Sequence, residues 1–143
     1  MVKRAQVIYW DSSAVLSALF TDSNSRAAQK WSGAKGVHFV STLTFAEVSA
    51  VIHRMQRERF LSATLSQAAF EVLDNGYWRR ISTRPKWSVI RSLSGKFPLR
   101  GADLWHLATA KSMQGEFPEL YLLSFDKRLI EAAKSEDLCK PSK

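Results

Sequence analysis

The sequence has little cysteine and glycine, and it contains no long apolar run. Of its 143 residues, one is cysteine, Cys139, and six are glycine. A single cysteine excludes an internal disulfide and a thiolate zinc site, and the glycines form no phosphate-binding motif. The longest uncharged apolar runs, such as Val7–Trp10 and Ala14–Phe20, are far shorter than the roughly 20 residues of a membrane span. We therefore expect a cytoplasmic protein without a signal peptide or a membrane segment.

Acidic residues are scarce compared with basic ones. There are 13 Asp and Glu residues against 21 Lys and Arg residues, which gives a formal net charge of +8. A small domain this basic is biased towards polyanions such as nucleic acid. Apolar residues make up 45% of the chain, which is enough for a sizeable buried core. The length favours a single domain over residues 1–143, with a polar C-terminal tail at residues 134–143.

Short β-branched and aromatic runs alternate with segments of helical periodicity. The predicted strands are Val7–Trp10, His38–Ser41, Trp78–Ile81 and Leu120–Ser124. The predicted helices are Ala14–Phe20, Ser25–Ser32, Thr44–Met55, Ala63–Asn75, Pro85–Leu93, Ala102–Met113 and Lys127–Lys134. This alternation predicts an α/β domain with a mostly parallel central sheet flanked by helices. In such sheets, ligands bind beyond the carboxyl ends of the strands.

Four acids occupy similar positions, close to where a helix begins. They are Asp11, Glu47, Asp103 and Asp126. Carboxylates that crowd at one sheet edge repel one another unless a cation neutralises them. Ligands that are all oxygen suit a hard cation such as Mg²⁺ or Mn²⁺. The pattern therefore indicates a divalent metal site that can act on a phosphodiester, because such ions activate water and neutralise phosphoryl oxygens.

Each acid also has a structural explanation. Thr44 and Glu47 fit a capping box, in which Glu47 returns a hydrogen bond to the backbone of Thr44. Asp11 and Asp126 fit helix N-caps, and Asp103 fits an acid that complements a helix dipole. Asp103 argues against this explanation for the whole set, because an acid on so apolar a helix is costly to bury without a partner.

Four short segments of this domain-sized chain contain these acids. They are Val7–Ser13, Thr44–Glu47, Ala102–Ala110 and Leu123–Asp126. Their order and spacing resemble the PIN domain, and more narrowly the VapC-like toxins of bacterial type II toxin–antitoxin modules. The resemblance covers residues 7 to about 132. Trp105 replaces the alanine usual in the family, and Phe125 stands where a small or basic residue is commoner, but neither change removes an acid.

The resemblance implies a fold, a reaction and partners. It implies a PIN-like domain that acts as a Mg²⁺- or Mn²⁺-dependent endoribonuclease, with Asp11, Asp103 and Asp126 as metal ligands. Glu47 would hold a metal-bound water or a second ion. It further implies a homodimer and a cognate antitoxin protein, whose C-terminal segment enters the acidic cleft. Exposed apolar residues on the helices Ala14–Phe20 and Thr44–Met55 are candidates for the antitoxin groove.

Three further features leave alternatives open. Ser13 and Ser124 either orient a carboxylate, contact a phosphate or cap a helix. Residues 75–101 contain no acid but include Arg79, Arg80 and Arg84, so we expect RNA contact there, with Trp78 and Trp87 as stacking surfaces. Alternatively, Trp87, Ile90 and Leu93 form the core stripe of a helix. His106 either approaches the acids or is a hydrogen-bonded core histidine, which we favour.

Two other functions remain compatible with the sequence. One is a basic RNA-binding domain that keeps the fold without catalysis. The other is a PIN nuclease that processes RNA or cleaves DNA and has no antitoxin. Cleavage of RNA on addition of Mg²⁺ or Mn²⁺ distinguishes the first of these from the leading interpretation.

Overall fold

The computed structural model describes residues 6–139, in which four strands alternate with seven helices. The strands are β1 (Gln6–Trp10), β2 (Gly36–Ser41), β3 (Trp78–Ile81) and β4 (Tyr121–Leu123). The helices are α1 (Ser12–Leu19), α2 (Ser25–Ser32), α3 (Thr42–Arg57), α4 (Ala63–Asn75), α5 (Trp87–Lys96), α6 (Gly101–Met113) and α7 (Lys127–Ser135). The predicted α/β class is confirmed. Residues 1–5 and 140–143, which belong to the predicted domain and its tail, lie outside the described residues.

The sheet is parallel throughout, with strand order β3-β2-β1-β4. Trp10 at the end of β1 lies opposite Leu123 of β4, and Ser41 at the end of β2 lies opposite Ile81 of β3. The carboxyl ends of all four strands therefore meet at one edge. Helices α1 and α3 begin directly after β1 and β2 at this edge, and α7 begins shortly after β4.

Two apolar cores cover the two faces of the sheet. Successive side chains of a strand point to opposite faces, so Ile8 and Trp10 pack against α1–α4, and Tyr9 between them packs against α5–α7. All three side chains are fully buried. No helix in the described part of the chain is long and apolar enough to cross a membrane.

Helices α1 and α3 begin two residues earlier than predicted. The Asp11 side chain caps α1, and the Ser41 hydroxyl caps α3 by accepting the Thr44 N–H at 3.2 Å. Thr44 is therefore the third residue of α3 rather than its cap, and Glu47 lies in the second turn. The capping-box interpretation of Glu47 is wrong, because its carboxylate is too far along the helix to reach a cap at Ser41.

The second half of the chain departs from the prediction in two places. Trp87 begins α5 and is 90% exposed, so it is no part of a core stripe, although Leu93 of the same helix is buried. Leu138, within the predicted polar tail, is fully buried, and its carbonyl accepts the Leu122 N–H at 2.7 Å. Residues after α7 therefore complete the core beside β4.

Candidate active site

Asp11 lies at the end of β1 and is almost fully buried. Its Oδ1 accepts hydrogen bonds from the Ser13 hydroxyl at 2.7 Å and from the Ala14 N–H at 2.9 Å. Its Oδ2 accepts one from the Ser124 hydroxyl at 2.5 Å. Burial raises the pKa of Asp11, and these three donors oppose the rise because they favour the charged form. Asp11 is thus a helix cap and a candidate site residue at once.

Ser13 and Ser124 connect the ends of β1 and β4. The Ser13 oxygen accepts the Phe125 N–H at 2.9 Å, and the Ser124 oxygen accepts the Asp126 N–H at 3.0 Å. Each hydroxyl has one proton, which it donates to Asp11. Both serines therefore orient a carboxylate, and neither has a proton left for a phosphate unless it releases Asp11.

Asp103 and Asp126 line a common cavity of about 310 Å³. Asp126 caps α7 through Oδ1, which accepts the Leu129 N–H at 3.1 Å. Asp103 is half-buried in the first turn of α6. Burial raises its pKa, and the charges of Asp126, Asp11 and Glu47 raise it further. The other three predicted acids therefore lie close enough to Asp103 to affect its ionisation.

Glu47 contacts a buried histidine. Its Oε1 lies 2.7 Å from Nε2 of His106, which is 1% exposed. The other ring nitrogen, Nδ1, lies 2.6 Å from the Tyr9 hydroxyl, and Tyr9 donates to the Ser41 hydroxyl at 2.9 Å. His106 is thus a hydrogen-bonded core histidine, as favoured, and it also reaches the acids. The sequence analysis missed Tyr9, although its place between Ile8 and Trp10 directs it towards α6.

The direction of the hydrogen bonds defines the histidine's role. Burial raises the pKa of Tyr9, so the phenol keeps its proton, and this proton is donated to Ser41. Tyr9 must then accept from His106 Nδ1–H. At 2.7 Å, the contact between His106 Nε2 and Glu47 Oε1 is a hydrogen bond that extends the network to Glu47. The network therefore holds the Glu47 carboxylate in one orientation.

Among the described residues that line the cavity of Asp103 and Asp126, none is a predicted RNA-contact arginine. Arg80 pairs with Asp74 at 2.8 Å and lies over the Phe45 ring. Trp78, a predicted stacking surface, is buried. Beyond β3 the chain runs to the far end of α6, where the Lys86 N–H donates to the Ser112 hydroxyl. RNA contact by Arg79, Arg80 and Arg84 stays a prediction.

Two other arginines do line the acidic cavity. Arg100 precedes α6, and Arg128 lies in the first turn of α7. Neither forms an ion pair with another residue in the range 6–139. The sequence analysis did not single out Arg128, because only the docking of α7 beside α6 brings it to the acids.

Comparison with known protein families identifies the family of this chain. The sequence matches the PIN domain family over residues 8–135, which is most of the chain. The chain belongs to the PIN domain family. A separate comparison with curated proteins found no match.

Solved structures show the same PIN fold at low sequence identity. PAE2754 from Pyrobaculum aerophilum is 17% identical, with a TM-score of 0.66 over 89% of this chain and 79% of its own. FitAcB from Neisseria gonorrhoeae is 16% identical, with a TM-score of 0.65 over 93% and 95%. VapC20 from Mycobacterium tuberculosis, a sarcin–ricin loop cleaving toxin, is 14% identical, with a TM-score of 0.57 over 87% and 94%.

The acids of this PIN domain supply the carboxylate oxygens that suit a hydrated hard cation. Within residues 6–139, no three Asp, Glu, His or Cys side chains already form a direct metal-ligating group. The carboxylate oxygens of Asp11 accept hydrogen bonds from the two serines, whereas Asp103 and Asp126 line a shared cavity. Mg²⁺ retains several waters and needs only one or two protein carboxylates. The residues therefore fit an ion held partly through water, and the ligand set Asp11, Asp103 and Asp126 stays a prediction.

Replacing Tyr9 by phenylalanine is expected to destabilise this PIN domain by about 1–3 kcal/mol. The change removes the acceptor of His106 Nδ1–H and the donor to Ser41 in a site without room for water to replace them. Urea unfolding measures the loss. Tyr121→Phe is the matched control, because Tyr121 is only half-buried. An equal loss in both variants would show that the network contributes little.

Proposed function

We propose that this PIN domain is a Mg²⁺- or Mn²⁺-dependent endoribonuclease that acts as the toxin of a type II toxin–antitoxin system. The observation that carries the proposal is the placement of the acids: Asp103 and Asp126 line one cavity, and the charges of Asp126, Asp11 and Glu47 raise the pKa of Asp103. Carboxylates that hinder one another's ionisation gain free energy when a cation neutralises them. A cation among carboxylates is the central requirement of metal-dependent phosphodiester hydrolysis.

The chain's own residues divide the work of the reaction. Asp11, Asp103 and Asp126 would hold the ion, which when bound supplies charge neutralisation and an activated water. The serines on Asp11 keep its carboxylate from turning away. His106 holds Glu47 in one orientation, so that its second oxygen would be available as an acceptor for a metal-bound water.

The arginines at the cavity indicate an anionic substrate. Arg100 and Arg128 stand beside Asp103 and Asp126, which places positive charge next to the acids. A guanidinium there can bind phosphate oxygens on either side of the reacting one. With a net charge of +8, the chain favours an extended polyanion over a small ester. The structural similarity to VapC20, described as a sarcin–ricin loop cleaving toxin, supports a nucleic-acid loop as the substrate, and we propose RNA.

An apolar groove beside α1 supports the antitoxin partner. It lies between the end of α1 and helix α4 and has a volume of about 320 Å³. Leu65 and Val72 line it and are 58% and 46% exposed. The sequence predicts an antitoxin groove on α1 and α3, whereas the cavity beside α1 is lined by residues of α4. An antitoxin helix in the groove would bring a following basic segment towards the acids, which attract Arg and Lys.

The test combines a cleavage assay with a binding assay. The purified chain is incubated with mixed RNA in Mg²⁺, in Mn²⁺ and in chelator, with and without the protein encoded beside it. We expect cleavage only with the metals, suppression by the neighbouring protein, and a homodimer in light scattering. RNA binding without cleavage would favour a non-catalytic domain. Cleavage by a strictly monomeric chain that no neighbour suppresses would leave a nuclease and refute the toxin assignment.

The salt dependence of RNA affinity tests the basic segment. Phosphates contacted by Lys and Arg release counterions, so we expect affinity to fall steeply with salt. The test variant, made in the Asp103→Asn background, replaces three arginines by glutamine: Arg79, Arg80 and Arg84. We expect the slope of log affinity against log salt to drop by about one per lost phosphate contact. The matched control replaces Arg54, Arg57 and Arg59. Equal slopes in both triple variants would remove the segment from the RNA interface.

A further inference from the structure

A second cavity of about 450 Å³ adjoins the acidic one. Leu99 and Arg128 line both cavities, so the two are neighbours that meet at these side chains. One wall of the second cavity is the loop of residues 97–99. The other wall is a face of α7 that presents Arg128, Glu131, Ala132 and Ser135. We call this cavity the α7 groove.

The walls of the α7 groove are held in place before any ligand binds. The Leu99 N–H donates to the Phe97 carbonyl at 2.9 Å, and Pro98 between them has a fixed φ. At the far end, Lys96 pairs with Glu136 at 3.4 Å, and these residues are the neighbours of Phe97 and Ser135. These contacts tie the loop to the end of α7 before a ligand binds, which lowers the entropy lost on binding.

The groove has the length and lining of one nucleotide base. Arg128 and Ser135 are seven residues apart on α7, which corresponds to about 10 Å. Phe97, Leu99 and Ala132 supply an apolar lining against which a base ring can lie flat. Arg128, at the junction of the cavities, stands where the phosphate of such a nucleotide would enter the acidic cavity.

Glu131 is the polar group that selects among bases. It is exposed, and it forms no ion pair or hydrogen bond with another residue in the described part of the chain. A carboxylate accepts two parallel hydrogen bonds. Among the four RNA bases, only guanine presents two adjacent donors, N1–H and N2–H, on its Watson–Crick edge. Adenine and cytosine offer a single amino group beside an acceptor, and uracil offers one N–H between two acceptors.

We propose that the α7 groove is a base-binding subsite for guanine in the nucleotide next to the scissile phosphate. The proposal rests on the proposed nuclease function for its position, but the groove's affinity for guanine does not depend on catalysis. Glu131 accepts from guanine N1–H and N2–H, the loop 97–99 covers the ring, and Arg128 binds the phosphate. The site therefore determines where in an RNA the acids cut.

Cleavage specificity provides the first test. The chain cleaves an RNA pool with a randomised segment, and sequencing of the ends gives the base preference beside each cut. We expect guanine to be preferred at one flanking position, and Glu131→Gln to reduce that preference by about tenfold. Glu116→Gln, an exposed acid elsewhere, is the matched control. An unchanged preference in Glu131→Gln would overturn the proposal while leaving the nuclease intact.

Mononucleotide binding provides the second test, and it needs no catalysis. The probes are 5′-GMP and 5′-AMP, titrated into the chain without metal. We expect GMP to bind about tenfold more tightly than AMP, and both Glu131→Gln and the groove-filling Ser135→Trp to remove the difference. Ser88→Trp, on exposed α5 surface outside the groove, is the control. Selective GMP binding without RNA cleavage would support the groove and contradict the nuclease.

Two results of the second test would overturn the subsite. One is equal affinity of the wild-type chain for GMP and AMP. The other is a groove occupied by protein, in which Ser135→Trp dissociates a dimer or blocks the neighbouring protein in light scattering while GMP binding is unchanged.

Discussion

Replacing Asp103 by asparagine is expected to reduce RNA cleavage by at least about a hundredfold and to raise the melting temperature. The amide keeps the shape of the side chain but removes a charge that a cation needs. In the wild-type chain, that charge is half-buried and faces three other acids, which raises its pKa. The ionised Asp103 carboxylate therefore destabilises the folded state, and the neutral amide removes this destabilisation.

The pH dependence of the free energy of unfolding shows whether the stability gain of Asp103→Asn comes from removing the Asp103 charge. Because the folded pKa of Asp103 lies above the ordinary value of 3.8, the native state binds the proton more tightly than the unfolded state. The wild-type chain therefore loses stability as pH rises from 3.8 through the folded pKa. The stability gain of Asp103→Asn should be full at neutral pH and absent in acid. Glu116→Gln serves as the charge control. Full cleavage by Asp103→Asn would refute the proposed ligand set.

Asp11 behaves differently from Asp103 in the same experiment. The sequence predicts equal or higher stability for both amide variants, but the Asp11 carboxylate accepts three hydrogen bonds. An amide nitrogen in the place of Oδ2 would face the Ser124 hydroxyl, which already accepts the Asp126 N–H. We therefore expect Asp11→Asn to abolish cleavage with less gain in stability than Asp103→Asn.

Charging the groove between α1 and α4 is expected to abolish binding of the proposed antitoxin. Leu65→Glu combined with Val72→Glu places two carboxylates where an apolar partner surface would bury them without counterions. We expect affinity for the protein encoded beside this chain to fall at least about a hundredfold, because each buried unpaired charge costs several kcal/mol. RNA cleavage should be unchanged, since both residues are exposed and neither lines the cavity of Asp103 and Asp126.

The matched control places the same charges elsewhere on α4. Thr64→Glu combined with Gln67→Glu adds two carboxylates at exposed positions that do not line the groove. Calorimetric titration measures the affinity, and RNA cleavage in the presence of the partner measures the suppression. Suppression that survives in Leu65→Glu with Val72→Glu would place the antitoxin on another surface.

The local parts of the fold could be predicted because their causes are local. Helices α2 and α4 and strand β3 have the predicted bounds, since apolar periodicity and turn residues act within a few positions. Asp11 and Asp126 are the predicted helix caps for the same reason. The error at α3 arose because Ser41 and Thr44 both suit a cap, and only the path of the chain leaving β2 favours Ser41.

The sequence by itself determined the α/β class, the parallel sheet and the presence of four acids near the starts of helices, because alternating periodicities and helix caps depend on neighbouring residues. Only the tertiary structure decided what those acids contact. The Glu47–His106 contact joins residues 59 positions apart, and the Tyr9–His106 contact joins residues 97 apart. The placement of Arg128 and of the α7 groove depends in the same way on how α6 and α7 pack against β1 and β4. Such contacts form because buried polar groups must find partners and apolar faces must be covered, and both requirements are met across the whole chain.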